Sequence, residues 1–402
     1  MRHAPAPQGR GAGPLWWAAL AGMLALSYAL FYHLCQLPSS DISIHATWAA
    51  EGDFADPVSF VRHGAHPMWH VLVSLLLHAG MGLEAAAALV TALTKGAQLW
   101  LVRRLFSESL AERMSLNALT GLSVVCVTVS CLCVPWYNPT VYLGVGTPNT
   151  WHSSTQLIAM AFMLACVPLT ARLYDRFEAR LPALGEKTLL PWREPALLGV
   201  LLFLSLLAKP TFMQAFLPAA CLFFLVKWIR HPQNGRFFGQ VIACVLPSVA
   251  FMVLQYMYYF GIIVPSQGSM VLDVSFAKIG ETLVRVVLMQ AFPLYAFIAC
   301  SKRGTRGTLF WLTLAFNIVS IVEFMALGES GRRAADGNFG WGMMGAAMMS
   351  WAVGIMVFFR AFADETRPLR GLRYPVGLAL LGWHVASGVY YVYYLFTSGL
   401  AL

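Results

Sequence analysis

Residues 15–36 read LWWAALAGMLALSYALFYHLCQ and contain no Asp, Glu, Lys or Arg. A helix needs about 20 consecutive apolar residues to cross the hydrocarbon core of a bilayer. The run therefore predicts a transmembrane helix near the N-terminus. Because it is long enough to span, we interpret it as a retained helix rather than a cleaved signal peptide.

The whole chain has the composition of a membrane protein. Of its 402 residues, 58% are hydrophobic and 11% are charged, whereas a soluble domain carries about 25% charged residues. The fold class expected is all-α and polytopic. The net charge of +9 comes from residues at the ends of apolar runs, where they meet lipid headgroups, so no nucleic-acid partner is expected.

Apolar runs of spanning length recur along the sequence and predict about 11 transmembrane helices. A further run, PMWHVLVSLLLHAG at 67–80, is too short to cross and predicts a helix at the membrane interface. The predicted spans are 15–36, 83–105, 115–136, 154–172, 194–208, 212–228, 238–260, 281–299, 307–327, 339–359 and 375–399.

The distribution of Lys and Arg predicts the orientation. With a cytoplasmic N-terminus, most of the 27 basic residues fall in cytoplasmic connections, as the positive-inside rule requires. Residues 1–14 are then a flexible cytoplasmic tail, and 15–402 form a single integral membrane domain. The first external loop covers 37–82, the C-terminus is external, and the expected location is the inner membrane of a bacterium.

Seven basic residues break this rule and need another explanation. Cations at the outer edge of a bilayer are well placed to hold a lipid-linked phosphate, although snorkelling or a local ion pair would explain each of them as well. Lys95 lies inside the second predicted span, and the external residues are Arg62, Lys209, Lys278, Arg285, Arg332 and Arg333.

The first external loop begins with SSDISIHATWAAEGDF at 39–54. Ser39 or Ser40 is placed to cap a helix that starts at Asp41. His45 follows Asp41 by four residues and therefore shares its face. We expect Asp41 to act as a general base that takes a proton from a hydroxyl, with His45 orienting it. The alternative is that Asp41 only stabilises the dipole of its helix.

Two later loops place polar side chains beside aromatic rings, a combination that suits a sugar. The first is YNPTVYLGVGTPNTWHSST at 137–155, with Asn149, Trp151 and His152. The second is DGNFGWG at 336–342, with Asp336 and Asn338 directly after Arg332 and Arg333. An interfacial aromatic belt with a capping turn is the alternative interpretation.

No metal or other cofactor is expected. His66 and His70 have the i, i+4 spacing of paired ligands, but Pro67, Met68 and Trp69 stand between them, and no acid occupies the place that a zinc hydrolase uses.

This arrangement resembles the GT-C class of membrane glycosyltransferases, which use polyprenyl-phosphate-linked sugars. The resemblance covers roughly residues 15–230 and rests on three stretches. They are the Asp after the first span in SSDISIHATWAAEGDF, the helix, glycine turn and basic pair in HPMWHVLVSLLLHAGMGLEAAAALVTALTKGAQLWLVRRLF, and the Lys-Pro turn in LLFLSLLAKPTFMQAFLPAACLFFL at 201–225.

The resemblance implies an enzyme, a hexosyl- or pentosyltransferase of cell-envelope polysaccharide biosynthesis. Its partners would be a lipid-linked sugar donor, a glycan or lipid acceptor and membrane lipids. Asp41 would deprotonate the acceptor, and Lys209, with Arg332 and Arg333, would hold the donor phosphate. The chain lacks the class's Asp-X-Asp pattern, which puts a metal-dependent version in doubt.

Three other functions fit parts of the sequence. One is an O-antigen or exopolysaccharide polymerase, although such enzymes place their largest external loop late in the chain. Another is a transporter or flippase of lipid-linked glycans, which would show two related halves, but the sequence has no internal repeat. A membrane acyltransferase would require a His-acid centre such as His45 with Asp41.

Overall fold

A computed structural model of the chain describes residues 13–64, 66–142, 145–184, 189–259, 268–302, 305–331, 337–366 and 369–398. Within these ranges the chain is almost entirely helical, with one small antiparallel pair of strands. The helices are α1 (Pro14–Cys35), α2 (Asp41–Ala50), α3 (Met68–His78), α4 (Leu83–Leu110), α5 (Leu116–Thr128), α6 (Ser154–Leu184), α7 (Arg193–Ala208), α8 (Thr211–Arg230), α9 (Gly235–Tyr259), α10 (Phe276–Tyr295), α11 (Thr308–Ala326), α12 (Phe339–Ala363) and α13 (Arg373–Thr397). The strands are β1 (Met270–Leu272) and β2 (Leu327–Glu329).

Nine of the described helices are long and apolar enough to cross a bilayer. This confirms an all-α, multi-pass membrane protein. The nine helices are α1, α4, α6 and α8–α13, while α5 and α7 match the two remaining predicted spans but are shorter. The predicted tail 1–14 lies mostly outside the described residues, and α1 already begins at Pro14.

The predicted span 115–136 is not one continuous helix. Helix α5 ends at Thr128, and an irregular segment follows at 129–134. Irregular backbone at membrane depth is tolerated only where the protein itself satisfies its polar groups. Here the amide of Ser130 donates to the carbonyl of His384 in α13 at 3.3 Å, and that of Leu132 donates to the carbonyl of Leu288 in α10 at 2.8 Å.

Helix α12 is the central element of the bundle. Of the helices long enough to span, it is the most completely enclosed, with 89% of its most apolar window buried. Its sequence GWGMMGAAMM is rich in small residues, which let helices in a membrane approach closely. At Gly354, for example, an added Cβ would lie 3.0 Å from the backbone of Pro293 in α10.

The connections gather at two ends of the bundle. One end carries α2, α3, the segment 129–153, the α7–α8 turn and the β1–β2 pair; we call it the Asp41 end. At the opposite end, Arg113 pairs with Asp364 at 2.8 Å and Arg172 pairs with Glu108 at 2.6 Å. The short helix α3 confirms the interfacial-length helix that was predicted at 67–80.

Candidate functional site

The start of α2 places Asp41 and His45 on one face. Ser40 caps the helix, because its side chain accepts a hydrogen bond from the amide of Ser43 at 3.1 Å. Nε2 of His45 lies 3.6 Å from Oδ1 of Asp41. The other carboxylate oxygen of Asp41, Oδ2, is buried and has no hydrogen-bond partner in the part of the chain that the structure describes. Asp41 therefore keeps one acceptor free for another molecule.

A second histidine, from α3, completes this group. Nδ1 of His45 lies 2.9 Å from Nε2 of His70, and both side chains are buried. Burial lowers the pKa of each to about 3, and the charge of Lys209 adds to the effect on His45. Both imidazoles are therefore neutral at neutral pH, and one ring must donate its proton to the other.

Lys209 lies in the turn between α7 and α8 and is buried, with 8% of its surface exposed. Its Nζ sits 4.0 Å from the ring centroid of Trp341. Among the described residues it has neither an ion-pair partner nor a hydrogen-bond acceptor. Burial lowers its pKa to about 8, and the charge of Asp41 opposes this shift. Lys209 is therefore mostly charged at neutral pH.

His152 joins these residues to the first polar loop, 137–155. Its ring stacks on Tyr142 with centroids 4.3 Å apart, and its Nδ1 is hydrogen-bonded to the hydroxyl of Tyr391. Burial lowers its pKa to about 4, with Asp41 opposing the shift and Lys209 reinforcing it. The charges of Asp41 and Lys209 both affect the pKa of His152, and the charge of Asp41 affects the pKa of Lys209. These three sequence-predicted residues therefore form one group.

The N-terminus of α6 lies beside this group. The hydroxyls of Ser153, Ser154 and Thr155 are fully buried, and no described residue hydrogen-bonds to them. Gln156 ties the helix to its neighbours: its Nε2 donates to the carbonyl of Trp341 at 3.0 Å, and Thr211 donates to its Oε1 at 3.3 Å. The first backbone amides of a helix also lack intrahelical acceptors. The start of α6 therefore offers several hydrogen-bond donors to a ligand.

Asn149 and Trp151 occupy a different place. Oδ1 of Asn149 accepts from Nζ of Lys95 at 3.0 Å, and its Nδ2 donates to the carbonyls of Cys126 and Val129. The same Nζ lies 4.2 Å from the ring centroid of Trp151. The protein itself uses the polar atoms of Asn149, which fixes this part of the first polar loop to α4 and to the end of α5.

The remaining predicted residues are scattered or lie outside the described ranges. Arg285 pairs with Glu281 at 2.5 Å, and Asn338 donates to Oε2 of Glu329 at 2.8 Å; no described contact joins either to the Asp41 group. Residues outside the described ranges are Arg332, Arg333 and Asp336. Among the described residues, no group of three or more His, Cys, Asp or Glu is arranged to hold a metal ion.

The sequence analysis did not select His70, Tyr142, Trp341 or Tyr391 as site residues. His70 had a usable signal, because His66 and His70 lie in the same loop as Asp41, and Tyr142 and Trp341 lie within the two polar loops 137–155 and 336–342. Tyr391 had no such signal and reaches the site from α13. We call Asp41, His45, Lys209, His152 and Trp341 the Asp41 group.

Comparison with protein-family models found no match, and comparison with curated proteins found none either. The function is therefore argued from the geometry of the Asp41 group.

Proposed function

We propose that the protein is a glycosyltransferase that moves a sugar from a polyprenyl-phosphate donor to a lipid or glycan acceptor. The proposal rests on the placement of Asp41 and Lys209. The carboxylate of Asp41 is near enough to raise the pKa of the buried Lys209 ammonium, but the two groups do not form an ion pair. A buried unpaired cation is costly, so it is expected to have an anionic ligand.

The chemistry assigns one role to each charge. The acceptor hydroxyl attacks the anomeric carbon of the donor while Asp41 takes the hydroxyl proton. A new carbon–oxygen bond forms to the acceptor, and the bond from the anomeric carbon to the phosphate oxygen breaks with its electron pair going to the phosphate. Lys209 stabilises the negative charge that develops on this leaving group. His45 orients Asp41, and the free hydroxyls of Ser153 and Ser154 are available to the phosphate or the sugar.

Support for a lipid-linked donor comes from an apolar cavity of about 360 Å³ between α6, α7, α8 and α9. Its lining includes Met213, one helical turn below Lys209, and Trp228 near the other end of α8. At 1.5 Å per residue these two positions are about 22 Å apart along the helix. Because nearly all of the lining is apolar, a polyprenyl chain suits the cavity, with its phosphate at Lys209.

The proposal places the Asp41 end at the outer face of a bacterial inner membrane, with a cytoplasmic N-terminus and an external C-terminus. The opposite end then faces the cytoplasm, in agreement with the positive-inside rule. No metal is assigned a role.

The decisive experiment compares Asp41→Asn with Asp53→Asn in source cells that lack the native copy. Asp53 lies in the same loop but is exposed, and its Oδ1 accepts from the amide of Ala55 at 2.8 Å, a bond that Asn can keep. At equal protein levels, Asp41→Asn should abolish one surface glycan and accumulate its lipid-linked sugar donor. A wild-type glycan profile in Asp41→Asn cells would refute the role of Asp41.

A flippase differs from a transferase in its products. Protein reconstituted in vesicles with lipid-linked sugars should yield a new glycosidic bond and free polyprenyl phosphate. Movement of the lipid-linked sugar across the bilayer without any covalent product would overturn the proposal.

A further inference from the structure

A groove at the opposite end of the bundle combines positive charge with an exposed aromatic ring. It has a volume of about 520 Å³ and follows one face of α4, where residues recur at i, i+3, i+4 and i+7 before meeting the start of α5. Its lining residues are Trp100, Arg103, Arg104, Ser107, Ala111, Glu112 and Leu116.

The groove lies beside the first turn of α1, at the end of a helix long and apolar enough to span a membrane. The guanidinium carbon of Arg103 is 4.6 Å from the ring centroid of Trp16, which stands in the first turn of α1. The neighbouring Trp17 is 59% exposed and Trp100 is 49% exposed. Exposed tryptophans at the end of a transmembrane helix mark the headgroup region. The groove therefore opens where lipid phosphates lie.

Arg103 carries an uncompensated charge into this groove. Its Nε donates to Oγ1 of Thr120 at 3.3 Å, and among the described residues it has no carboxylate partner. Its terminal nitrogens remain available for bidentate hydrogen bonds to an anion. Arg104, in contrast, is bonded to Glu108 at 3.0 Å. Glu112 is 77% exposed and lies 3.9 Å from Arg113, so it does not neutralise Arg103.

We propose that this groove binds the phosphate headgroup of an anionic phospholipid. Arg103 holds the phosphate through its terminal nitrogens, and Trp100 packs against the lipid beside it. Basic pockets between transmembrane helices are suited to such headgroups. The bound lipid would link α4 to the start of α5, and the site is independent of sugar transfer at the Asp41 end.

The test measures lipid binding to the purified full-length protein by native mass spectrometry. Phosphatidylglycerol should bind at least about tenfold more tightly than phosphatidylcholine, as expected for one or two charge-assisted hydrogen bonds. Arg103→Gln should remove most of this preference. Arg103→Lys should retain part of it, because the positive charge remains but the bidentate geometry of the guanidinium is lost. Arg176→Gln is the matched control, because Arg176 lies at the same end and pairs with Glu194 at 2.8 Å.

Three results would overturn the inference. The first is equal binding of the two lipids to the wild-type protein, and the second is an unchanged preference in Arg103→Gln. The third is inorganic phosphate displacing phosphatidylglycerol at comparable concentrations, which would assign the groove to a soluble anion. A thermal-shift scan with each lipid keeps the test valid if Arg103→Gln is less stable, because only the lipid-dependent increase in Tm is compared.

Discussion

Two buried lysines of this protein have opposite surroundings. Lys95, inside α4, donates to Gln98 at 3.2 Å and to Asn149 at 3.0 Å and lies over the ring of Trp151. Lys209 has only the ring of Trp341 and no acceptor among the described residues. A cation whose hydrogen bonds the protein supplies is part of the framework, whereas one left without acceptors is available to a ligand.

Replacing Lys209 should give the largest functional effect. In Lys209→Met the charge that stabilises the phosphate leaving group is lost, so transfer should fall by about 10²- to 10³-fold. The Tm should stay the same or rise, because a buried charge without acceptors has been removed. Transfer activity and Tm of the purified variant check this, and a large loss of stability would show that Lys209 is structural.

Replacing Lys95 should give the reverse pattern. Lys95→Met leaves the acceptors on Gln98 and Asn149 buried and unpaired, which should cost about 2–4 kcal/mol of unfolding free energy. Transfer measured per folded molecule should change much less than in Lys209→Met. Denaturant titration in detergent, with Lys302→Met as an exposed control, separates the two effects. A Lys95 variant that is as stable as the wild type would contradict the framework role.

The framework around Lys95 also depends on the close approach of α13 to the end of α5. An added Cβ at Gly388 would overlap the carbonyl of Thr128, while the space at Gly382 in the same helix is open. Gly388→Ala should therefore lower the unfolding free energy by about 1–3 kcal/mol, and Gly382→Ala should not lower it. Equal stability of the two variants, measured side by side, would mean that this contact is loose.

Acid should lower the stability of the folded protein through the buried histidines in and beside the Asp41 group. The pKa values of His45, His70 and His152 are lowered to between about 3 and about 4 from an ordinary value of 6.5. The unfolded chain therefore binds more protons than the folded one below pH 6.5. Their contribution to stability is complete above pH 6.5 and falls with decreasing pH, by up to about 1.4 kcal/mol per unit for each histidine.

A Tm-against-pH series checks this dependence. His70→Asn should flatten the slope of Tm against pH between pH 6.5 and 4, because a buried imidazole that resists protonation is removed. An unaltered slope in His70→Asn would show that other groups cause the acid sensitivity.

The sequence was most informative about the helices and the first loop. Long apolar runs have to be helical in a membrane, and Ser40 before Asp41 is a local capping signal, so both predictions are confirmed. The break after Thr128 was missed because the following residues, VSCLCV, are as apolar as the helix before them. Only contacts with α10 and α13 satisfy their backbone, and no local pattern reveals such contacts.

The charged residues of the Asp41 group were predictable from the sequence, but the residues that contact them were not. A lysine on the outer side of the predicted topology and an acid after the first span were visible as exceptions to simple rules. The placement of Trp341 and Tyr391 against Lys209 and His152 depends on the packing of α12 and α13, which a single sequence does not specify. For the same reason Asn149 was expected at the substrate but lies at Lys95.

The most direct measurement is the titration of the Lys209 amine, followed by competitive acetylation and mass spectrometry over a range of pH in the intact protein. Lys209 should titrate with a pKa of about 8, and Asp41→Asn should lower this pKa further, because the negative charge that opposes the effect of burial is removed. Asp53→Asn should leave it unchanged. A Lys209 pKa near its ordinary value of 10.5, or one that does not respond to Asp41→Asn, would show that the two residues do not lie close together.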